Sequence, residues 1–577
     1  MVGFVLSAIV LGILLIVILV GLLSSRKSET VKVEPNSVIH MTLNTPILER
    51  ASKSPFDELD LSGLQTNKNL GLNDILAAIK RAASDDNIKG IYLDVSGVDA
   101  GMATIEEIRN ALIQFKKSHK FILAYSEVYT QKAYYLASVA DKIYLNPEGI
   151  LEFTGFNYQI TFFKGSLEKL NIEPQIIKVG TYKSAVEPYV LDKMSDANRL
   201  QVTSFLGSMY DHFLSQIASA RHMAKDSLFA IANELKVQNA SDAVRYKMVD
   251  GLRYKDQIIE ELKTRTGTDK KEDINSVSLA GYIKNNQPED GDVNSRIAVV
   301  YATGEITGGE GDDETMGSER ISRTIRKLRA DNKVKAVVFR VNSPGGSSLA
   351  SDVIWREIML TRKVKPVIVS MGDVAASGGY YISCAADSIF AEPNTITGSI
   401  GVFGIIPNMQ KFFNNKLGIT FDGVKTAAHA DLGTITRPLT DAEKLIIQRE
   451  VNRIYSSFTR RVADGRKKSQ EYINQIGQGR VWSGSEAIKN GLVDRLGNID
   501  DAIRSAAKMA KVKDYKLVSY PTLKDPLESI LGSGEDQLKE YFTKLQLGEQ
   551  YVYYKDLQSA LRFTGIQARL PYQIVIK

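Results

Sequence analysis

Two short stretches carry residue types suited to acyl transfer. Ser377-Gly378-Gly379 offers a hydroxyl nucleophile followed by backbone that a substrate carbonyl can approach closely, because glycine lacks Cβ. Pro344-Gly345-Gly346 offers a turn with a second backbone N–H and an exposed edge along which an extended peptide could pair. Each alone is more often a turn or a helix cap than a site. A serine nucleophile also needs a base. The G-x-S-x-G elbow does not fit, since Ala375 stands where its first glycine would be. His429 is one candidate base, and a lysine such as Lys178 or Lys183 is another. A lysine would have to be buried, because lowering its pKa from near 10.4 to about 7–8 costs roughly 3–4 kcal/mol of desolvation.

Composition removes several other chemistries. One cysteine, Cys384, allows neither an internal disulfide framework nor a thiolate metal cluster, and five scattered histidines lack the spacing of a zinc hydrolase. No Walker A sequence is present, so neither a metal nor a nucleotide cofactor is expected. The glycine- and acid-rich run Gly308 to Gly317 lacks EF-hand spacing and reads as a surface loop. The balance of 73 basic against 67 acidic residues, a net +6, forms no basic block, so no nucleic-acid partner is expected. At 577 residues and 44% hydrophobic, the chain is globular and too long for a single core.

The elements that must position these residues come as a repeat. Asp85 to Val95 falls on Asp331 to Val341, Ala133 to Ile143 on Gly379 to Ile389, and Pro147 on Pro393, at an offset of 246. Val249-Asp250 falls on Val493-Asp494 at an offset of 244, which signals two copies of one domain rather than a solenoid. In the second copy, Ile297–Tyr301, Ala336–Val341, Val367–Ser370 and Ser388–Ala391 read as strands; Leu349–Arg362 and Ala376–Ala386 read as helices. Strands alternating with helices imply parallel sheets with crossover helices, an α/β class.

The copies differ where chemistry would lie. Gly345 and Gly346 map to Asp99 and Ala100, Ser377 to Gln131, Gly378 to Lys132, and Ser399 to Phe153. The shared Tyr pairs, Asp141 with Asp387, Pro147 with Pro393, and the acidic pair Glu127 with Asp373 read as structural. What only the second copy keeps is the candidate site.

Met1 to Leu23 carries no charge and would span roughly 34 Å as a helix, which reads as an uncleaved membrane anchor over residues 1–24. Arg26 and Lys27 follow it and by charge alone would hold that side in the cytoplasm.

The motifs Asn342 to Gly346, Gly372 to Tyr380 and Thr397 to Gly401, with Val179 to Pro188 in the first copy, resemble the bacterial signal peptide peptidase A (protease IV) family in its long, duplicated form. The resemblance covers nearly all of the chain beyond the anchor. It implies that Ser377 is the nucleophile, Lys183 the general base, Ser399 a hydrogen-bond partner orienting the lysine, and Gly378 with Gly345 or Gly346 the oxyanion hole. It implies tandem Clp protease/crotonase-like domains. On that basis the expected organisation is 36–266 supplying the lysine, 267–295 as linker, 296–512 carrying the serine, and 513–577 as a C-terminal extension. It further implies a homotetramer on the cytoplasmic membrane with catalytic domains on the extracytoplasmic side, degrading signal peptide remnants and other apolar segments. Three rivals remain distinguishable. They are a Ser/His peptidase using His429, a crotonase-like acyl-thioester enzyme that needs no serine nucleophile, and a non-catalytic membrane scaffold.

Overall fold

The computed structural model describes residues 32–51, 69–285, 294–312, 315–523 and 566–570, with isolated positions between 543 and 551. The expected anchor over residues 1–24 lies outside them. Among the described residues no helix is long and apolar enough to cross a membrane.

Each copy builds a sheet from apolar runs that are covered on both faces, as parallel strands require. In the first copy the strand order is Gly251–Leu252, Lys142–Leu151, Phe121–Tyr129, Ile88–Asp94, Ser37–Met41, Ser276–Ser278, and all neighbours are parallel. In the second it is Val481–Ser483, Ile396–Gly398, Val367–Ala376, Val334–Ser343, Arg296–Thr303, Lys516–Tyr520; only the first pair is antiparallel. The helices Leu72–Ser84 and Ser318–Ala330 cover the sheets with apolar stripes, Ile75, Ala78, Ile79 and Ala82 in one, Ile321, Ile325 and Leu328 in the other. The class is therefore α/β in both copies.

The strands expected in the second copy are all present, and Ser388–Ala391 has the bounds read from sequence. The helix expected from Ala376 begins later, at Gly378, because the strand Val367–Ala376 runs on and the chain breaks at Ser377, where φ is 56°. Two stretches read as irregular carry structure. Within 267–295, Ser276–Ser278 pairs with Ser37–Met41 and is followed by the helix Leu279–Lys284. Within Gly308–Gly317, Thr315–Gly317 pairs with Glu305–Thr307. Both are short segments whose backbone groups are satisfied by a neighbouring edge, a contact that local composition does not encode.

Side chains shared by the two copies hold equivalent elements together. Tyr134 Oη donates to Met248 O and Tyr380 Oη to Leu492 O, each at 2.8 Å. Asp141 accepts from Ile122 N and Asp387 from Val367 N. Asp250 accepts from Ile143 N and Asp494 from Ile389 N in the same way. Asp373 acts between the copies instead. Its carboxylate reaches into the first copy and accepts from Ala103 N, Thr104 N and Thr104 Oγ1 at 2.9, 3.0 and 2.6 Å. It thereby satisfies the start of the helix Met102–Lys116. Gly101 must lack a side chain there, since a Cβ would fall 2.2 Å from the Asp373 carboxyl.

The copies are also tied by charge. Arg340 is fully buried and pairs with Glu49 at 2.8 Å and Glu107 at 2.6 Å, both from the first copy. A third sheet unites the halves, in the order Thr315–Gly317, Glu305–Thr307, Gly345–Ser347, Ile566–Arg569, Val402–Asn408, Glu173–Val179. Its last strand comes from the first copy and runs antiparallel to Val402–Asn408 over seven pairs.

Candidate active site

That seven-residue ladder delivers Lys183. Just past Val179, the chain turns through Gly180 and is held by Tyr182 N donating to Gln478 O at 2.8 Å. Gln201 clamps the same turn, donating to Tyr182 O at 3.1 Å and accepting from Val481 N at 3.1 Å. Three glycines make room. A Cβ on Gly180 would sit 2.4 Å from Gln478 O, one on Gly479 2.6 Å from Lys183 Cα, and one on Gly401 3.1 Å from Lys183 Cδ.

Ser377 arrives from the second copy. The strand Val367–Ala376 ends against Ile396–Gly398, and Ser377 N donates to Gly398 O at 2.8 Å. Its backbone, at φ 56° and ψ −113°, is a conformation that non-glycine residues rarely adopt and that persists only where surroundings over-determine it. Ser399 has a positive φ as well, 51°, and is fixed by its N–H on Arg480 O at 2.7 Å.

Three side chains converge. Lys183 Nζ lies 3.0 Å from Ser377 Oγ and 3.1 Å from Ser399 Oγ, and 3.4 Å from Ser399 O. Lys183 is 1% exposed and Ser377 0%. Among the described residues no carboxylate pairs with Nζ, and the Phe403 ring stands 5.7 Å away. Burial without a counter-charge lowers the lysine pKa to about 7. An amine that is largely neutral above pH 7 and 3.0 Å from a hydroxyl can take its proton.

The glycines read as oxyanion donors flank the serine. Gly378 opens the helix Gly378–Ser383, so its N–H has no acceptor within that helix. Gly345 abuts it, for a Cβ on Gly345 would lie 2.7 Å from Gly378 N. Gly345 N–H donates to Ser343 Oγ at 3.2 Å, and Gly346 pairs with Ile306 and Ala568.

His429 is elsewhere. Its side chain is 49% exposed, its ion-pair partner is Glu443 at 3.8 Å, and no hydrogen bond joins it to Ser377. Lys178 lies on the ladder opposite Phe403. The first copy has no equivalent site: Gln131, in the place of Ser377, accepts from Thr154 N and Gly155 N, while Lys132, in the place of Gly378, donates to Ala100 O. Sequence reasoning missed Gly479, Arg480 and Gln201. Gly479, in the run Gly477-Gln-Gly479, is the one that carries a readable signal, a turn glycine in the second copy.

Comparison with known proteins agrees with this architecture. Residues 114–269 and 359–513 each match peptidase family S49, and residues 292–397 match Clp protease. The chain is 39% identical to Protease 4 of Salmonella typhi over 482 residues, covering 81% of this chain and 77% of that protein. It is 36% identical to Protease 4 of Haemophilus influenzae (78% and 75% covered). It is 32% identical to the chloroplastic serine protease SPPA of Arabidopsis thaliana (86% and 73% covered). With two S49 domains in tandem on a Clp protease-like α/β fold, the chain belongs to the serine peptidases of family S49, in the long form of the signal peptide peptidase A (protease IV) group.

Proposed function

We propose that the protein is a membrane-anchored endopeptidase working through a Ser377/Lys183 dyad assembled from both copies. The observation that carries this reading is the 3.0 Å approach of a fully buried lysine amine to the Ser377 hydroxyl, with burial lowering its pKa to about 7. Neutral Lys183 accepts the Ser377 proton as Oγ attacks a peptide carbonyl. The resulting oxyanion is met by Gly378 N–H and by an N–H of the Gly345-Gly346 turn; Gly345 would exchange its 3.2 Å bond to Ser343 Oγ for it. The protonated lysine then gives its proton to the leaving amine, and water, activated by the same lysine, releases the acyl group. Ser399 Oγ, at 3.1 Å, fixes the direction of Nζ.

Signal peptide remnants and other apolar extended segments are the proposed substrates, on the strength of the family and the apolar N-terminal stretch. The same grounds support a homotetramer tethered to the cytoplasmic membrane with its catalytic domains on the extracytoplasmic side. The Ser/His alternative loses support from the exposure of His429 and its pairing with Glu443.

The test is single-turnover cleavage of an apolar fluorogenic peptide by wild type, Ser377→Ala, Lys183→Ala and His429→Ala. The first two variants should lose about 10³-fold or more in rate and the third should stay within about twofold of wild type. Activity retained in Lys183→Ala would overturn the dyad. A serine-directed fluorophosphonate that fails to label Ser377 in the folded protein would favour the crotonase-like or scaffold readings.

A further inference from the structure

The third sheet contains a strand that its neighbours do not supply. Gly345–Ser347 and Val402–Asn408 are not paired with each other; Ile566–Arg569 lies between them and pairs antiparallel with both. Without it, each would present an open edge of backbone N–H and C=O groups directly beside Ser377. Such a slot is a receptor for an extended peptide, which adds as a strand and inserts alternate side chains.

The segment in the slot sits as a peptide ligand would. Arg569, Ala568 and Gln567 stand opposite Gly345, Gly346 and Ser347, and Leu570 N donates to Pro344 O at 2.7 Å. The Ala568 carbonyl packs on the two glycines beside the serine, since a Cβ on Gly345 would fall 2.2 Å from its oxygen and one on Gly378 3.0 Å. Ala568 and Leu570 are buried, and Leu570 joins the apolar cluster containing Ala376, Ile396 and Val481. Ala376 is the residue before Ser377. Arg569 pairs instead with Glu305, at 2.7 Å.

We infer that Ile566–Leu570 is a resident pseudosubstrate: it occupies the groove between Gly345–Ser347 and Val402–Asn408, and substrates displace it with a small side chain in the place of Ala568 and an aliphatic one in the place of Leu570. What the groove does rests on the Ser377/Lys183 reading; what fills it does not. The closing segment competes from the same chain, so the fraction of molecules with an open groove scales the apparent affinity for any peptide added from solution.

The experiment uses the full chain carrying Leu570→Asp, which places a charge in an apolar pocket, and separately Arg569→Glu, which breaks the pair with Glu305. Two readouts are taken: the rate of Ser377 labelling by a fluorophosphonate, and, in a Ser377→Ala background, binding of fluorescein-labelled Ile-Gln-Ala-Arg-Leu by anisotropy. Both variants should label and bind about tenfold better than their parents. Adding Glu305→Arg to Arg569→Glu should return both towards wild type. Equal labelling and equal binding in parent and variants would overturn the assignment. A wild-type labelling rate that rises on dilution would overturn it too, because the occupant would then come from a second copy. If no form labels but the variants bind the peptide better, the pseudosubstrate stands and the Ser/Lys chemistry falls.

Discussion

Lys183 and Ser377 are 194 positions apart and belong to different copies of a duplicated domain, yet Nζ and Oγ meet at 3.0 Å in a fully buried site. The lysine rides on a strand of the first copy that is sewn to a strand of the second. The serine sits at a strained bend that its own copy imposes. Neither copy holds both groups, so the junction between them is the site.

The buried amine sets the pH dependence. With the Lys183 pKa lowered to about 7, the proton-accepting form dominates above that pH. kcat/KM on a peptide should therefore fall as pH drops below about 7, with a limb tracing one proton. A limb near pH 10 would mean that the lysine is solvated in the working enzyme.

The same burial affects stability. The folded-state pKa is depressed, so the cost of burying the cation is fully present below about pH 7. It is relieved as pH climbs, while the unfolded chain keeps its lysine protonated to about pH 10. Lys183→Met removes the titration. The stability of wild type relative to that variant should rise between these limits by about 1.4 kcal/mol per pH unit, measured by urea denaturation.

Ser399 holds the lysine in line. Ser399→Ala leaves Nζ with Ser377 Oγ and the more distant Ser399 carbonyl. Turnover should drop about 10–100-fold, and Ser399→Thr should recover part of it by restoring the hydroxyl. A pH limb displaced in Ser399→Ala and returned in Ser399→Thr would separate positioning from simple loss of packing.

Gly479 is required by the lysine, not by its own loop alone. Its φ is 81°, and a Cβ would lie 2.6 Å from Lys183 Cα. Gly479→Ala should cost about 100-fold in turnover, as a displaced base does, while circular dichroism stays native. Near-normal activity would show that the turn yields without moving Nζ.

Arg340 secures the halves against each other. Arg340→Met strands the carboxylates of Glu49 and Glu107 in a dry interface, and burial already holds the Glu107 pKa up at about 7. Removing one partner of such a cluster should cost about 3–5 kcal/mol, read as a lower urea midpoint.

Much of this is legible in the residues. The offset of 246 exposes the duplication, and the losses at Gln131, Lys132 and Phe153 point to Ser377, Gly378 and Ser399 by subtraction. Strands such as Ser388–Ala391 follow from uninterrupted apolar runs, because both faces of a parallel sheet are buried. The choice of base is not legible from spacing. His429 and Lys183 both stay open on that ground, and only the family resemblance favours the lysine.

Which residue types are available, and in which copy they survive, follows from covalent order and local pattern alone. Long-range packing decides that Lys183 is dry, that His429 is half exposed, and that Ile566–Arg569 lies across the groove. Solvation and strand pairing depend on what the rest of the chain brings close, and here it brings distant parts together. The hydroxyl partners of Lys183 lie 194 and 216 positions away, at Ser377 and Ser399. The strands that receive Ile566–Arg569, Gly345–Ser347 and Val402–Asn408, are equally remote from it in the chain. No local window spans such separations, so the dyad and the groove exist only once both copies have folded against each other.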